Sequence, residues 1–138
     1  MVHRLPVKIR VSETDALGHV SNISYFIYLE EARVELFRDL GIMEEIGRWP
    51  FILASTTCDY IQQSYFGQHL EVESSVSRIG NSSFHIDHEI YGEQGLTAKG
   101  KAVIVHFDFD EQKTKPLTPD MIETLKSYRS GSAVTPQE

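Results

Sequence analysis

Asp15, Gly18, His19 and Asn22 fall within one short run, Val11-Ser-Glu-Thr-Asp-Ala-Leu-Gly-His-Val-Ser-Asn-Ile-Ser-Tyr25. A carboxylate can attack an electrophilic carbonyl or take a proton from water, and a histidine can position water, bind a carbonyl or cap a turn. The run lies between an alternating segment that ends in Ile9 and Val11 and a helically spaced segment from Tyr25 to Leu40. Asp15, His19 and Asn22 are therefore expected on a strand-to-helix connection. The first N–H groups of a helix have no intrahelical partner and carry partial positive charge, so they can hold an oxyanion beside the attacking group. Gly18 supplies backbone freedom in this reading. The competing reading makes Asp15 a capping or turn residue.

The flanking pattern says what must hold these residues. Leu5 to Val11 is expected as a short strand with Val7, Ile9 and Val11 on one face, and Pro6 near its start or on an edge. The helix begins near Ile23, with Ser21, Asn22 or Ser24 as its N-cap, Phe26, Leu29, Leu36 and Leu40 on its buried side, and Gly41 just past its end. Glu30 with Arg33 and Glu35 with Arg38 are spaced as helix-surface ion pairs. Ile42 to Trp49 reads as a short helical turn before Pro50, after which Phe51 to Gln63 restarts a strand and Ser64 to Gly67 turns. Leu70, Val72, Ser74 and Val76 then alternate with polar residues, as do Phe84, Ile86, His88 and Ile90, with Gly80-Asn81 between the two runs. That is a hairpin, and Gly92 to Gly95 turns into a last strand from Leu96 to Phe109. Ala98, Gly100 and Ala102 share a face there, which lets a helix approach the sheet closely. Thr118-Pro119-Asp120 opens a final helix to about Tyr128.

The order Asp-x-x-Gly-His-Val-x-Asn at Asp15 to Asn22, followed by an aromatic-rich helix carrying Glu30-Glu-Ala-Arg33, resembles the hotdog-fold acyl thioesterases of the 4-hydroxybenzoyl-CoA thioesterase type. Asp59-Tyr60 through Gly67 and the Gly80-Asn-Ser-Ser-Phe84 turn fit the same pattern, so the resemblance runs from about Val7 to Phe109. It implies an α+β hotdog fold, one long central helix wrapped by a five-stranded antiparallel sheet. It also implies hydrolysis of an acyl-CoA, ahead of an acyl carrier protein thioester, to free acid and thiol. Asp15 is carried over as nucleophile or general base, His19 and Asn22 complete the catalytic group, and Glu13 and Thr14 support them. Leu17, Gly18, Tyr25, Tyr60, Phe66, Ser82 and Ser83 are carried over as substrate-binding residues. Two sheets of such enzymes join edge to edge with each site between subunits, so a homodimer or homotetramer is expected, the Tyr60–Gly67 region and the Gly80–Phe84 turn meeting the neighbour's Asp15. Ser21 and Leu17 depart from the family pattern and bear on the substrate branch rather than on the reaction.

With 138 residues, 41% hydrophobic and 24% charged, the chain has room for one domain with a real core. That domain is expected over residues 1–129, with a loose tail at 130–138. The net charge of −7 argues against nonspecific nucleic-acid or anionic-membrane binding. Cys58 is the single cysteine, which excludes an internal disulfide framework and reads as a small apolar residue in a reducing, cytoplasmic compartment. No Gly-x-Ser-x-Gly elbow, GxGxxG or P-loop spacing occurs, and His85 and His88 should face opposite sides of a strand, so no metal site and no cofactor are expected. His3, His69 and His106 read as ordinary polar or partly buried histidines. The alternatives are a catalytically silent acyl-CoA-binding module of the same fold, or a hydratase on that fold, whose Pro-rich helix approach is missing between Val7 and Arg48.

Overall fold

The computed structural model describes residues 2–41 and 50–129. The expected turn at 42–49 and tail at 130–138 lie outside them. Six strands and two helices follow in chain order among the described residues: β1 His3–Lys8, α1 Asn22–Asp39, β2 Phe51–Tyr60, β3 His69–Ile79, β4 Ser83–Gly92, β5 Gly95–Asp108, β6 Lys113–Thr114 and α2 Pro119–Lys126. The sheet runs β1-β3-β4-β5-β2 with every pairing antiparallel, and the two-residue β6 adds to β5. This is the expected α+β hotdog arrangement of a long helix against a five-stranded sheet, extended by a minor sixth strand.

The first strand ends earlier than its alternation suggests. β1 stops at Lys8, and Val11 to Glu13 form a 3-10 turn in which Val11 is exposed. Local polar chemistry wins over the apolar period: the Arg10 backbone N–H donates to the Glu13 carboxylate at 2.9 Å, which bends the chain out of the sheet. Ile9 stays buried and is tied by its own N–H to the Gln68 carbonyl at 3.0 Å. At the helix, Ser21 is the N-cap, its side chain accepting from the Ser24 N–H at 3.3 Å, and Gly41 past the C-cap takes φ +72°.

Register explains how α1 lies on the sheet. Val72, Ile90 and Ala98 form one row across β3, β4 and β5, and Val76, Ile86 and Ala102 form another. Between them runs a row of His3, Ser74, His88 and Gly100. The apolar rows build two separate clusters. Ile9, Tyr25, Tyr28, Leu29, Val72 and Ile90 belong to the one at the start of α1, and Leu36, Phe37, Phe51, Val76, Phe84 and Ile86 to the one at its end. At Gly100 the helix lies close on the sheet: a Cβ there would stand 2.6 Å from Leu29 Cδ1 and 3.2 Å from the Thr57 carbonyl oxygen. The expected run of small side chains therefore has a steric purpose. The intervening polar row is buried too. His88 is 1% exposed and its Nδ1 lies 2.8 Å from Ser74 Oγ. Burial, with the fields of Arg33 and His3 added, holds its imidazole down at about 3. His3 Nε2 reaches the Asp39 carboxylate at 2.9 Å.

Two further expectations are resolved by the same packing. Glu35 and Arg38 do pair, at 3.2 Å, but Arg33 is only 6% exposed and forms no ion pair with Glu30. Arg33 shares the helix face of Leu29, Leu36 and Phe37, so its stem is drawn under the helix rather than onto the surface. The C-terminal helix is capped as its sequence suggests, the Thr118 side chain accepting from the Met121 N–H at 3.1 Å, and Leu125 seals the second cluster.

Candidate active site

The connection between β1 and α1 is built on Glu13. Its buried carboxylate accepts from the Arg10 N–H at 2.9 Å, from the Arg10 guanidinium at 2.6 Å and from the Tyr28 hydroxyl at 2.9 Å. Its carbonyl accepts from the Ser21 N–H and the Ser24 hydroxyl, each at 3.0 Å. Burial alone would raise the Glu13 carboxyl, but the three donors outweigh it and the net shift is downward. The same contacts push the Tyr28 phenol far up, desolvation first and the bond to Glu13 next. Glu13 thus stays an anion and clamps both ends of the loop to the second turn of α1.

Asp15 sits two residues beyond that clamp and is exposed. Oδ1 accepts from the Leu17 N–H at 2.8 Å and from the His19 N–H at 3.1 Å, while the Asp15 backbone N–H donates to the His19 carbonyl at 2.7 Å. This turn orients the carboxylate by one oxygen and leaves Oδ2 available to a substrate. Gly18 takes φ +88° inside the turn, a conformation that side chains with a Cβ disfavour. His19 forms an isolated bridge with Tyr65, and its ring meets the Tyr65 ring edge-on with centroids 5.0 Å apart. The Asn22 carbonyl accepts from the Tyr60 hydroxyl at 3.2 Å, which brings the end of β2 to the start of α1. The Tyr60 ring packs on Tyr25 at 5.3 Å.

Asp15, His19, Asn22, Tyr25 and Tyr60 line one cavity of about 210 Å³. The arrangement combines an exposed carboxylate, a partly exposed imidazole and the free N–H groups of a helix N-terminus, which is what attack on a carbonyl requires. Gly18 shapes the turn beside it. Leu17 and Phe66 do not line it and are 76% and 61% exposed. Ser82 and Ser83 lie at the other end of the sheet within one chain: Ser83 pairs with Val105, whose β2 neighbour is Ile52, whereas Tyr60 pairs with Ala98. The remaining wall comes from Val20, which sequence reasoning did not single out, and from Ile61, Gln62 and Gln63 of the Tyr60–Gly67 region, which was expected at a neighbour's Asp15 and here lies at the Asp15 of its own chain. Gln62 is fixed by its Nε2, which donates to the Leu96 carbonyl at 2.8 Å. Cys58, half-buried on β2, has its thiol pushed up to about 11 by burial and then by Asp59. Among the described residues no three His, Cys, Asp or Glu side chains group as a metal site.

Residues 9–125 match the family described as the thioesterase-like superfamily. A solved structure of a predicted thioesterase from Bacillus stearothermophilus superposes with a TM-score of 0.88 at 32% identity, over 94% of this chain and 97% of that one. A thioesterase from Thermus thermophilus, solved in complex with coenzyme A and zinc, has a TM-score of 0.80 at 26% identity, over 91% and 92% of the two chains. The acyl-CoA thioester hydrolase YbgC of Escherichia coli is 25% identical over 129 residues, 89% of this chain and 95% of its own.

Proposed function

The chain belongs to the thioesterase-like superfamily, and from that premise we propose that it hydrolyses an acyl-CoA thioester at the cavity beneath Asp15. The observation that carries this reading is the placement of Asp15, His19 and the N-terminus of α1 around that one cavity. Asp15 Oδ2 faces the thioester carbonyl as nucleophile, or takes a proton from the attacking water as general base. With Asp15 as general base, water adds to the carbonyl carbon, the C–S bond breaks and the proton taken from water passes to the CoA sulfur. With Asp15 as nucleophile, the C–S bond breaks to give an Asp15 acyl anhydride and CoA thiolate, and water then cleaves the anhydride to free acid and the Asp15 carboxylate, its protons going to the thiolate and solvent. The oxygen that gathers negative charge lies at the N–H groups of Asn22 and Ile23, where charge on an oxygen is stabilised most as it develops. His19, braced by Tyr65, orients the water or the carbonyl. Relatives named for acyl-CoA hydrolysis and solved with coenzyme A support CoA as the carrier.

The site is completed by a second copy in this proposal. β2 is one of the two outer strands of the sheet, β1 being the other, and Ile52, Leu53, Tyr60 and Ile61 on and beside it are exposed, as are Ile23 and Ile27 on α1. An open strand edge bordered by apolar side chains needs a cover. Pairing of β2 with a second β2 covers it, and Ser82 and Ser83 of the neighbour then serve the Asp15 cavity. Arg78, Lys99 and Lys101 are among the exposed basic groups and would meet the CoA phosphates at the rim.

The test is thiol release over a panel of straight-chain, aromatic and dicarboxylic acyl-CoAs, with Asp15→Asn beside the parent. Turnover of the best substrate should fall at least ~10²-fold in the variant while the fold is retained. No arginine or lysine lies between Val11 and Glu30, so the uncharged acyl-CoAs should be preferred over succinyl- and malonyl-CoA. Asp15→Asn turning over at the parent rate would end the assignment.

A further inference from the structure

Tyr60 is joined to the start of α1 by a bond that the helix does not call for. Its hydroxyl donates to the Asn22 carbonyl at 3.2 Å, from the last residue of β2 to the first of α1. A helix already supplies its first carbonyl with one donor, the N–H four residues on, so Asn22 needs no second one for satisfaction. That carbonyl and the Ile23 N–H are the two ends of one planar amide. A proton donated to the oxygen draws electrons from the nitrogen, and the N–H becomes the stronger donor. The Ile23 N–H is one of the two groups at which the thioester oxygen gathers charge in the proposed function. The Tyr60 ring is itself held: it packs on Tyr25 with centroids 5.3 Å apart, and Tyr25 is buried and bonded to Ser64. Partial burial, then the neighbouring Cys58 and Tyr25, push the Tyr60 phenol up, so it keeps its proton and remains a donor.

We propose that Tyr60 is a positioning residue for the oxyanion site, acting through the Asn22–Ile23 peptide, which its hydroxyl orients and polarises. The inference rests on the proposed function and adds a part to its machinery. At 3.2 Å the bond is longer than the usual O–H···O range of about 2.5–3.0 Å, so it contributes little at rest. As the thioester oxygen becomes negative it draws on the Ile23 N–H, the Asn22 oxygen gains electron density, and the bond to Tyr60 tightens. An interaction that strengthens only as charge develops lowers the barrier without tightening substrate binding, so it acts on kcat and not on KM. The bond lies within one chain and does not depend on what covers β2.

The experiment compares the full chain with Tyr60→Phe, which keeps the ring on Tyr25 and removes only the hydroxyl, and with Tyr60→fluorotyrosine, whose hydroxyl is the stronger donor. For the best acyl-CoA of the panel, kcat should fall about 3- to 10-fold in Tyr60→Phe, the rate equivalent of one ordinary hydrogen bond, with KM held within about 2-fold. The fluorinated variant, assayed below its phenol pKa, should match or exceed the parent kcat. The NMR signals of the Asn22 carbonyl carbon and the Ile23 amide proton should move upfield in Tyr60→Phe, a readout independent of turnover, while its mass by light scattering and its unfolding midpoint stay those of the parent. The parent's kcat in Tyr60→Phe, a loss carried by KM alone, a loss that accompanies a changed mass or midpoint, or unmoved Asn22 and Ile23 signals each overturns the role. Where Tyr60→Phe does not fold, a fluorinated variant slower than the parent overturns it instead. A parent chain that releases thiol from no acyl-CoA refutes the proposed function and this role with it, whereas an active parent with any of those results refutes the role alone.

Discussion

His88 should make the fold acid-labile in a pH window of its own. Its imidazole is enclosed between β3 and α1 and is held at about 3, against 6.5 for the free side chain. The groups facing it are Ser74 on β3, Arg33 on α1 and His3 on β1, and the two charged or chargeable ones both disfavour protonation. The folded value lies below the unfolded one, so the stabilisation is complete above about pH 6.5 and drains away as pH falls towards about 3. At 1.36 kcal/mol per pH unit, going from about pH 7.5 to about pH 5 costs roughly 2 kcal/mol, and the full shift corresponds to about 5 kcal/mol. The clamped carboxyl of Glu13, held low, loses its contribution only in more acid solution, because its unfolded value is 4.5. Urea unfolding at fixed protein concentration, repeated across about pH 5 to about pH 7.5, reads the slope. His88→Gln keeps a group able to bond Ser74 and cannot titrate, so the slope should vanish in it. A parent protein equally stable at both ends of that range, or a variant with the parent's slope, would refute the reasoning.

Two other outcomes follow from packing and edges. Gly100→Ala should destabilise by about 1–3 kcal/mol in the same unfolding assay, because the new methyl would stand 2.6 Å from Leu29 Cδ1 and 3.2 Å from the Thr57 backbone carbonyl oxygen; a neutral result would mean that α1 can lift from the sheet freely. Light scattering at micromolar concentration should give at least twice the chain mass of 15.7 kDa, and a fully active monomer would contradict the shared site.

The parts of this fold that could be read directly were those with a strict local period. β3 and β4 alternate residue by residue, and a one-residue slip would have put Val72 and Ile86 in water, so their faces were legible. The ends of α1 and α2 were legible because Ser21, Gly41 and Thr118 have short-range roles. β1 was misjudged at its end, since Val11 continues the apolar period while Glu13, two residues on, captures the Arg10 N–H. The clamp also needs Tyr28, fifteen positions away, and no local spacing announces it. Glu30 and Arg33 show the limit in another form: their spacing suits a surface pair, and only the register of α1 on the sheet reveals that Arg33 faces inward. Asp15, His19, Asn22, Tyr25 and Tyr60 meet around one cavity, whereas Gln62 and Gln63 owe their place to β5, whose Leu96 and Thr97 carbonyls hold that segment.

The polar row of His3, Ser74, His88 and Gly100 also bears on how the molecule fluctuates. It divides the interior into two apolar clusters, and α1 is the element that passes through both. Amide exchange should therefore report two cooperative units of differing opening free energy rather than one. The unit at the start of α1 carries the Asp15 turn, held by a handful of hydrogen bonds around Glu13, while the other is closed by Phe37, Phe51, Phe84 and the α2 residue Leu125. Brief opening of the first unit would admit or release a thioester without disturbing the second.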